Sequence, residues 1–193
     1  MDRRRFLAAS GAAATGALAG CAGPFGTVTL DGETVVEDDE TYLEFRHEGE
    51  RVADFGALYR EEYAPDDLPL GFRTTVWHRE GTHLDAIDQR LRSPPHSPTG
   101  VPAQVYLATP EARPFPEMHY HLGDDRHTVV EVPEVGGVGR GTLTFEYLLD
   151  PRSDPPDPLT VGVEASFHLS GGTLSPDYVC RGEFTFEVPL TGQ

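Results

Sequence analysis

The chain has 193 residues, with 32 acidic and 15 basic side chains, and its formal charge at pH 7 is −17. All of the basic residues are arginine, and asparagine does not occur in the sequence. No basic stripe is present that could neutralise phosphates, which excludes nucleic acid as a partner, and the lack of asparagine excludes N-glycosylation.

Residues 3–21 read RRRFLAASGAAATGALAGC and combine a basic start, an apolar run and a small-residue end. As a helix, the uncharged run from Phe6 to Gly20 would be about 22 Å long, which is too short for the ~30 Å hydrocarbon core of a membrane. This pattern is typical of a secretion signal. We therefore expect residues 1–20 to be a signal peptide that is removed.

The start of this segment resembles the twin-arginine export signature, R-R-x-F-L. The matching residues are Arg3, Arg4, Arg5, Phe6 and Leu7. Proteins with this signature are exported after they have folded, and weakly hydrophobic signals suit that route. Asp2 stands where the family usually has serine or threonine. The resemblance implies that this protein folds before it is exported.

The end of the segment, Leu-Ala-Gly-Cys at positions 18–21, resembles a lipobox. In lipoproteins of that kind, cleavage falls just before the cysteine, which then carries the lipid. The resemblance implies a lipid on Cys21, residues 21–26 as anchor and short tether, and a position on the extracytoplasmic face of the cytoplasmic membrane. Cys180 would then have no disulfide partner. The alternatives are a plain signal peptide with an incidental cysteine, or a bond between Cys21 and Cys180.

Removal of residues 1–20 would leave 31 acidic and 12 basic side chains, a formal charge of −19. A chain this acidic repels itself in dilute buffer, and salt relieves the repulsion. Together with the two export motifs, this lysine-free composition resembles that of exported lipoproteins of haloarchaea. The resemblance implies a salt-loving source and does not imply an activity.

From Thr27 onward, apolar and polar residues alternate between turn signals, which is typical of strands with one buried face. The segments TLTFEYLL, LTVGVEASFHL and CRGEFTFEV show the pattern well, and their inward residues include Phe145, Phe167 and Phe184. Residues 27–193 are therefore expected to form a single all-β domain of nine or ten strands. We predict an antiparallel β-sandwich, immunoglobulin-like, with a jelly roll as the alternative.

Two segments, residues 50–63 and 83–92, also have apolar residues at helical spacing. The first is left open between helix and strand, and strand is favoured for the second. The Gly81-Thr82 pair before the second segment predicts a hairpin. Trp77, the only tryptophan, is expected in the core, although its position in the alternation also allows an exposed binding aromatic.

The sharpest candidate site is the segment EMHYHLGDDRHTVVEV. His119 and His121 share one face of a strand, and His127 and Glu131 are expected on the matching face of the next strand. One pairing register sets His121 opposite His127, and another sets His119 opposite Glu131. Either would gather ligands that suit Zn²⁺ or Cu²⁺. The His-x-His pair is similar to the cupin motif but lacks its glycine and glutamate, and the alternative is an ordinary polar strand face.

Nucleophilic catalysis finds no support, because Ser166, His168 and Ser170 lie outside any G-x-S-x-G elbow. Cys180 is expected to be buried and inert. We therefore expect a lipid-anchored surface protein without enzyme activity or cofactor, acting as a binding or envelope-structural module. The alternative is an extracytoplasmic metal-binding protein that uses residues 119–127.

Overall fold

Twelve β-strands make up most of the described chain. The computed structural model of the protein describes residues 26–37, 40–59, 69–94, 102–108, 116–123, 126–136, 139–152, 155–173 and 175–190. In chain order the strands are β1 (Thr27–Asp31), β2 (Glu33–Glu37), β3 (Glu40–His47), β4 (Glu50–Tyr59), β5 (Leu70–His78), β6 (His83–Arg92), β7 (Ala103–Leu107), β8 (His119–Leu122), β9 (Thr128–Val132), β10 (Leu143–Pro151), β11 (Leu159–Ser170) and β12 (Asp177–Val188). Within these ranges, no helix has the length and apolar character of a membrane span.

The strands form two six-stranded sheets that pack face to face. Sheet 1 has the order β1-β12-β11-β6-β9-β8, and sheet 2 has the order β2-β3-β4-β5-β10-β7. The described pairs are antiparallel except at one edge of sheet 1, where β1 runs parallel to β12. The predicted β-sandwich is therefore confirmed.

Aromatic side chains join the two sheets across the core. Phe45 of sheet 2 meets Phe167 of sheet 1 edge to face, with ring centroids 5.2 Å apart. Phe72 of sheet 2 lies against Phe186 of sheet 1 at 5.3 Å. Along β11, every second residue from Leu159 onward is buried, as the alternation predicted. Such contacts add to the hydrophobic burial that holds the sheets together.

The two segments with helical spacing both contain strands. Residues 83–92 form β6, as favoured, and the open case at residues 50–63 is a strand from Glu50 to Tyr59, beyond which residues 60–68 lie outside the described part. β4 pairs with β3 on one side and with β5 on the other. Hydrogen bonding to two neighbouring strands thus decides the structure where the spacing alone does not.

The predicted hairpin at Gly81-Thr82 is wrong, because β5 belongs to sheet 2 and β6 to sheet 1. The Thr82 amide and hydroxyl both donate to the Arg79 carbonyl, at 3.3 and 2.8 Å. The Leu84 amide then donates to Gly139 at 2.8 Å, so β6 begins against the loop that precedes β10. Turn residues mark where a strand ends but do not decide which sheet the next strand joins.

A polar contact also crosses the core. Gln89 of β6 is fully buried, and its Oε1 accepts hydrogen bonds from Thr74 Oγ1 at 2.7 Å and from the Tyr147 hydroxyl at 3.1 Å. Both donors belong to sheet 2, so these bonds fix the position of one sheet against the other. Burial raises the pKa of Tyr147, so this hydroxyl remains a donor.

We expect Gln89→Leu to lower the free energy of unfolding by about 1–3 kcal/mol, because the buried hydroxyls of Thr74 and Tyr147 lose their acceptor. The triple variant with Thr74→Val and Tyr147→Phe should recover most of this loss, since it removes the donors as well. Urea unfolding of the three proteins measures both effects. A single variant as stable as the wild type would show that the cross-sheet bonds do not matter.

Candidate functional site

The outer side of sheet 2 carries an exposed aromatic face. Trp77 of β5 is 39% exposed and lies opposite Asp54 of β4, which in turn lies opposite Glu44 of β3. Tyr42 lies two residues before Glu44 on the same side of β3. The expectation of a core Trp77 is wrong, because Val76 is fully buried and takes the inward position.

A β-bulge in β4 turns Arg51 onto the same face. Arg51 lies opposite Arg46, and the register then shifts so that Val52 is an extra residue before Ala53. Val52 and Ala53 are both fully buried, whereas Arg51 is exposed. In a regular strand Arg51 would point inward like Ala53, so the bulge places its guanidinium beside Trp77.

The guanidinium of Arg51 packs against two rings. Its Cζ atom lies 5.1 Å from the centroid of the Trp77 ring and 5.6 Å from that of Tyr42. Its Nε donates to Asp54 Oδ1 at 2.5 Å, and a second guanidinium nitrogen bonds the other carboxylate oxygen. Cation–π attraction and a bidentate ion pair therefore hold Arg51 in place.

A second ion pair extends this surface. Arg46 Nε donates to Glu44 Oε1 at 2.5 Å, and Nη2 donates to Oε2 at 3.1 Å. Burial raises the pKa of Asp54, while the hydrogen bond from Arg51 opposes that shift. The name Trp77 face is used below for Tyr42, Glu44, Arg46, Arg51, Asp54 and Trp77. Within these six residues two arginines balance two carboxylates, and Glu37 and Glu40 add further carboxylates beside them, on a chain with a formal charge of −17.

Gly56 leaves a depression beside these residues. It lies between Tyr42 of β3 and Thr75 of β5, and the depression has a volume of about 360 Å³. Glu37 and Glu40 also line it. A Cβ atom at position 56 would lie only 3.1 Å from the Tyr42 Cβ. Glycine therefore opens the depression and lets Tyr42 pack closely.

The predicted histidine pair lies at the edge of sheet 1. His119 is opposite Glu131, which is one of the two predicted registers, and His121 is opposite Val129. Both histidines are exposed on β8. The same register continues across the sheet, since Glu131 lies opposite Asp88 of β6.

His127 is not placed with the other histidines as predicted. Because Leu122 pairs with Thr128, His127 falls in the turn before β9 and cannot oppose His121. It is only 4% exposed, and its Nε2 lies 3.7 Å from Glu164 Oε1. Among the described residues, no three His, Cys, Asp or Glu side chains are placed to hold a metal ion. Of the four predicted ligands, His119 and Glu131 face each other across β8 and β9, but His119, His121, His127 and Glu131 do not form one cluster.

Ser170 meets an aspartate and a histidine that the sequence analysis did not connect. Asp85 Oδ1 accepts from Ser170 Oγ and contacts His83 Nδ1, both at 3.0 Å. In a serine triad the histidine lies between serine and aspartate, whereas here the aspartate is central. This order does not place the imidazole to take the serine proton.

The structure describes only one of the two cysteines, Cys180. Cys180 is a buried free thiol, as predicted, and burial raises its pKa to about 12, so the reactive thiolate is not formed at neutral pH. Cys21 lies outside the described residues. So does the export motif of Arg3, Arg4, Arg5, Phe6 and Leu7.

The sequence matches one protein family over residues 27–190. The chain belongs to the family described as a domain of unknown function (DUF8121). No match was found among curated proteins.

Solved structures with similar folds include the reeler domain of human F-spondin, at 10% identity and a TM-score of 0.34, with 63% of this chain and 76% of that chain covered. The collagen-binding domain from a Staphylococcus aureus adhesin is 8% identical, with a TM-score of 0.37 and coverages of 64% and 91%. A cohesin–dockerin complex from Clostridium thermocellum gives 12% identity, a TM-score of 0.32 and coverages of 83% and 92%. At these TM-scores the likenesses carry no functional inference.

Since Trp77 is the only tryptophan, the intrinsic tryptophan fluorescence of the chain reports on the Trp77 face alone. We expect Arg51→Ala to increase quenching by acrylamide, because the guanidinium no longer covers the ring. Arg181→Ala, on sheet 1, serves as the matched control and should leave quenching unchanged. Equal quenching in Arg51→Ala and the wild type would contradict the described packing.

His78 follows Trp77 in β5 but points inward and is buried at one end of the sandwich. Its Nδ1 lies 2.8 Å from Thr82 Oγ1, in the segment that crosses between the sheets. Burial lowers the pKa of His78, and the backbone carbonyl of Arg79 only partly opposes this shift. The folded chain therefore keeps His78 neutral at a pH where an exposed histidine takes up a proton.

We expect the free energy of unfolding to fall as the pH drops below about 6.5, because the unfolded chain then binds a proton on His78 more readily than the folded chain. In His78→Asn, which has a polar group near the Nδ1 position and no ionisable ring, the decrease should be smaller. Urea unfolding between about pH 7.5 and about pH 5.5 measures the difference. The same pH slope in both proteins would rule out this role of His78.

Proposed function

We propose that the chain is a lipid-anchored, extracytoplasmic binding protein that presents the Trp77 face to a partner. The Trp77 face carries the proposal, because tryptophan, tyrosine and arginine contribute most often to binding energy at protein surfaces. Here all three residue types lie together, with Trp77 and Arg51 exposed and Tyr42 half-buried beside them.

The side chains of this face are held before any partner arrives. Asp54 and Glu44 fix the two guanidinium groups, and the bulge at Val52 fixes the backbone below Arg51. A surface with its side chains already ordered loses little conformational entropy on binding. This favours a role in recognition over one as a passive spacer.

The anchor part of the proposal rests on the sequence motifs at residues 3–21. Residues 21–26 span at most about 20 Å when fully extended, so the domain would stand close to the membrane. β1 begins directly after this tether, at Thr27. A partner would therefore be reached near the cell surface, on the extracytoplasmic side.

Mass spectrometry of the membrane fraction of the native host tests the anchor. The wild type should begin at residue 21 and carry a lipid, whereas Cys21→Ser should lose both the lipid and the membrane association. Cys180→Ser is the matched control and should remain lipidated, since Cys180 is buried in the core. If the wild type and Cys21→Ser both appeared in the medium at the mass expected without lipid, the anchor would be refuted.

A further inference from the structure

We propose that the Trp77 face binds a neutral carbohydrate, with one sugar ring over Gly56 and against the aromatic side chains of Tyr42 and Trp77. This deepens the proposed function, on which it rests, by naming the class of ligand. Three properties of the face support it: its charges, its shape, and its mixture of apolar and hydrogen-bonding groups.

The charges around the depression select against charged ligands. An anion is repelled by Glu37 and Glu40, which line the depression, and by a chain with a formal charge of −17. A cation would compete with Arg51, which already lies against both aromatic rings and is paired with Asp54. Glu44 is likewise paired with Arg46. A neutral ligand binds without breaking these ion pairs.

The shape fits a single ring. Tyr42 and Thr75 stand on strands that flank β4, so about 9.6 Å separates their backbones across Gly56, twice the spacing of neighbouring strands. Because Gly56 has no side chain, this space holds a depression of about 360 Å³. A six-membered sugar ring can lie in it, between the aromatic side chains and Thr75.

The groups around the depression match those of a sugar. A sugar ring presents C–H groups on its faces and hydroxyl groups at its rim, and each hydroxyl both donates and accepts hydrogen bonds. Trp77, which is 39% exposed, and the half-buried Tyr42 offer apolar contact for the C–H groups on the ring surface that Arg51 leaves uncovered. Thr75 offers a hydroxyl, and the oxygens of Asp54 and Glu37 can accept additional bonds.

The test uses soluble neutral polysaccharides, namely dextran, mannan, galactan and a β-glucan, each titrated into the purified chain. At least one should give a saturable change in Trp77 fluorescence. The affinity should be nearly the same at about 0.2 M and about 2 M salt, because the ligand carries no charge for salt to screen. The affinities of the variants are measured by calorimetry, since Trp77→Ala removes the fluorescent residue.

Trp77→Ala and Gly56→Val should each weaken binding at least about tenfold, the first by removing the stacking surface and the second by filling the depression. Tyr106→Ala removes a similarly exposed aromatic from β7, at the edge of sheet 2, and should bind like the wild type. Thr144→Ala gives a second control that should also bind like the wild type, since Thr144 lies on β10, opposite Thr75 and one strand beyond it.

Two results would overturn the inference: none of the four polysaccharides binds, or one binds with an affinity that Trp77→Ala does not change. If heparin or polylysine bound at Trp77 instead, the ligand class would be wrong while the Trp77 face remained a binding site. The lipid on Cys21 is tested separately by mass spectrometry. Failure of the ligand class is therefore distinguishable from failure of the proposed function.

Discussion

Each strand of this sandwich can turn only alternate side chains toward the opposite sheet, and the architecture depends on that constraint. Where the alternation is kept, as along β11 and β12, aromatic and aliphatic residues fill the core, and pairs such as Phe45 and Phe167 join the sheets. The buried side chain of Gln89 adds a polar contact that fixes how the sheets meet. Cross-sheet packing, with no disulfide from the buried Cys180, holds the described domain together.

The Trp77 face exists because the alternation along β4 is interrupted at Val52. Without the extra residue Val52, Arg51 would point into the core, and Trp77 and Tyr42 would lack the guanidinium between their strands. Gly56, two strand positions from Asp54, then removes the side chain that would fill the space. A bulge and a glycine thus convert an ordinary solvated sheet face into a surface with ordered aromatic and charged side chains beside a depression.

The fold class was predictable, because alternation records which face of each strand is buried. The sheet to which each strand belongs was not predictable. The turn at Gly81-Thr82 ends β5 in the same way whether the next strand returns to the same sheet or crosses to the other one. The orientation of Arg51 was not predictable, because the extra residue Val52 reverses the face of β4 to which the preceding side chain points. Neighbouring residues of a strand point to opposite faces, so an inward Val76 already indicated an outward Trp77 ring. His127 was misplaced because pairing begins at Thr128.

The central claim is that recognition occurs on the Trp77 face and not at the histidine edge of sheet 1. The most direct measurement is a ¹H–¹⁵N NMR titration of the isotope-labelled chain with neutral polysaccharide from the envelope of the native host. The account predicts shifts confined to the backbone amides of β3, β4 and β5 around Gly56 and to the indole N–H of Trp77. Shifts centred on His119 and His121, with Trp77 unchanged, would contradict it.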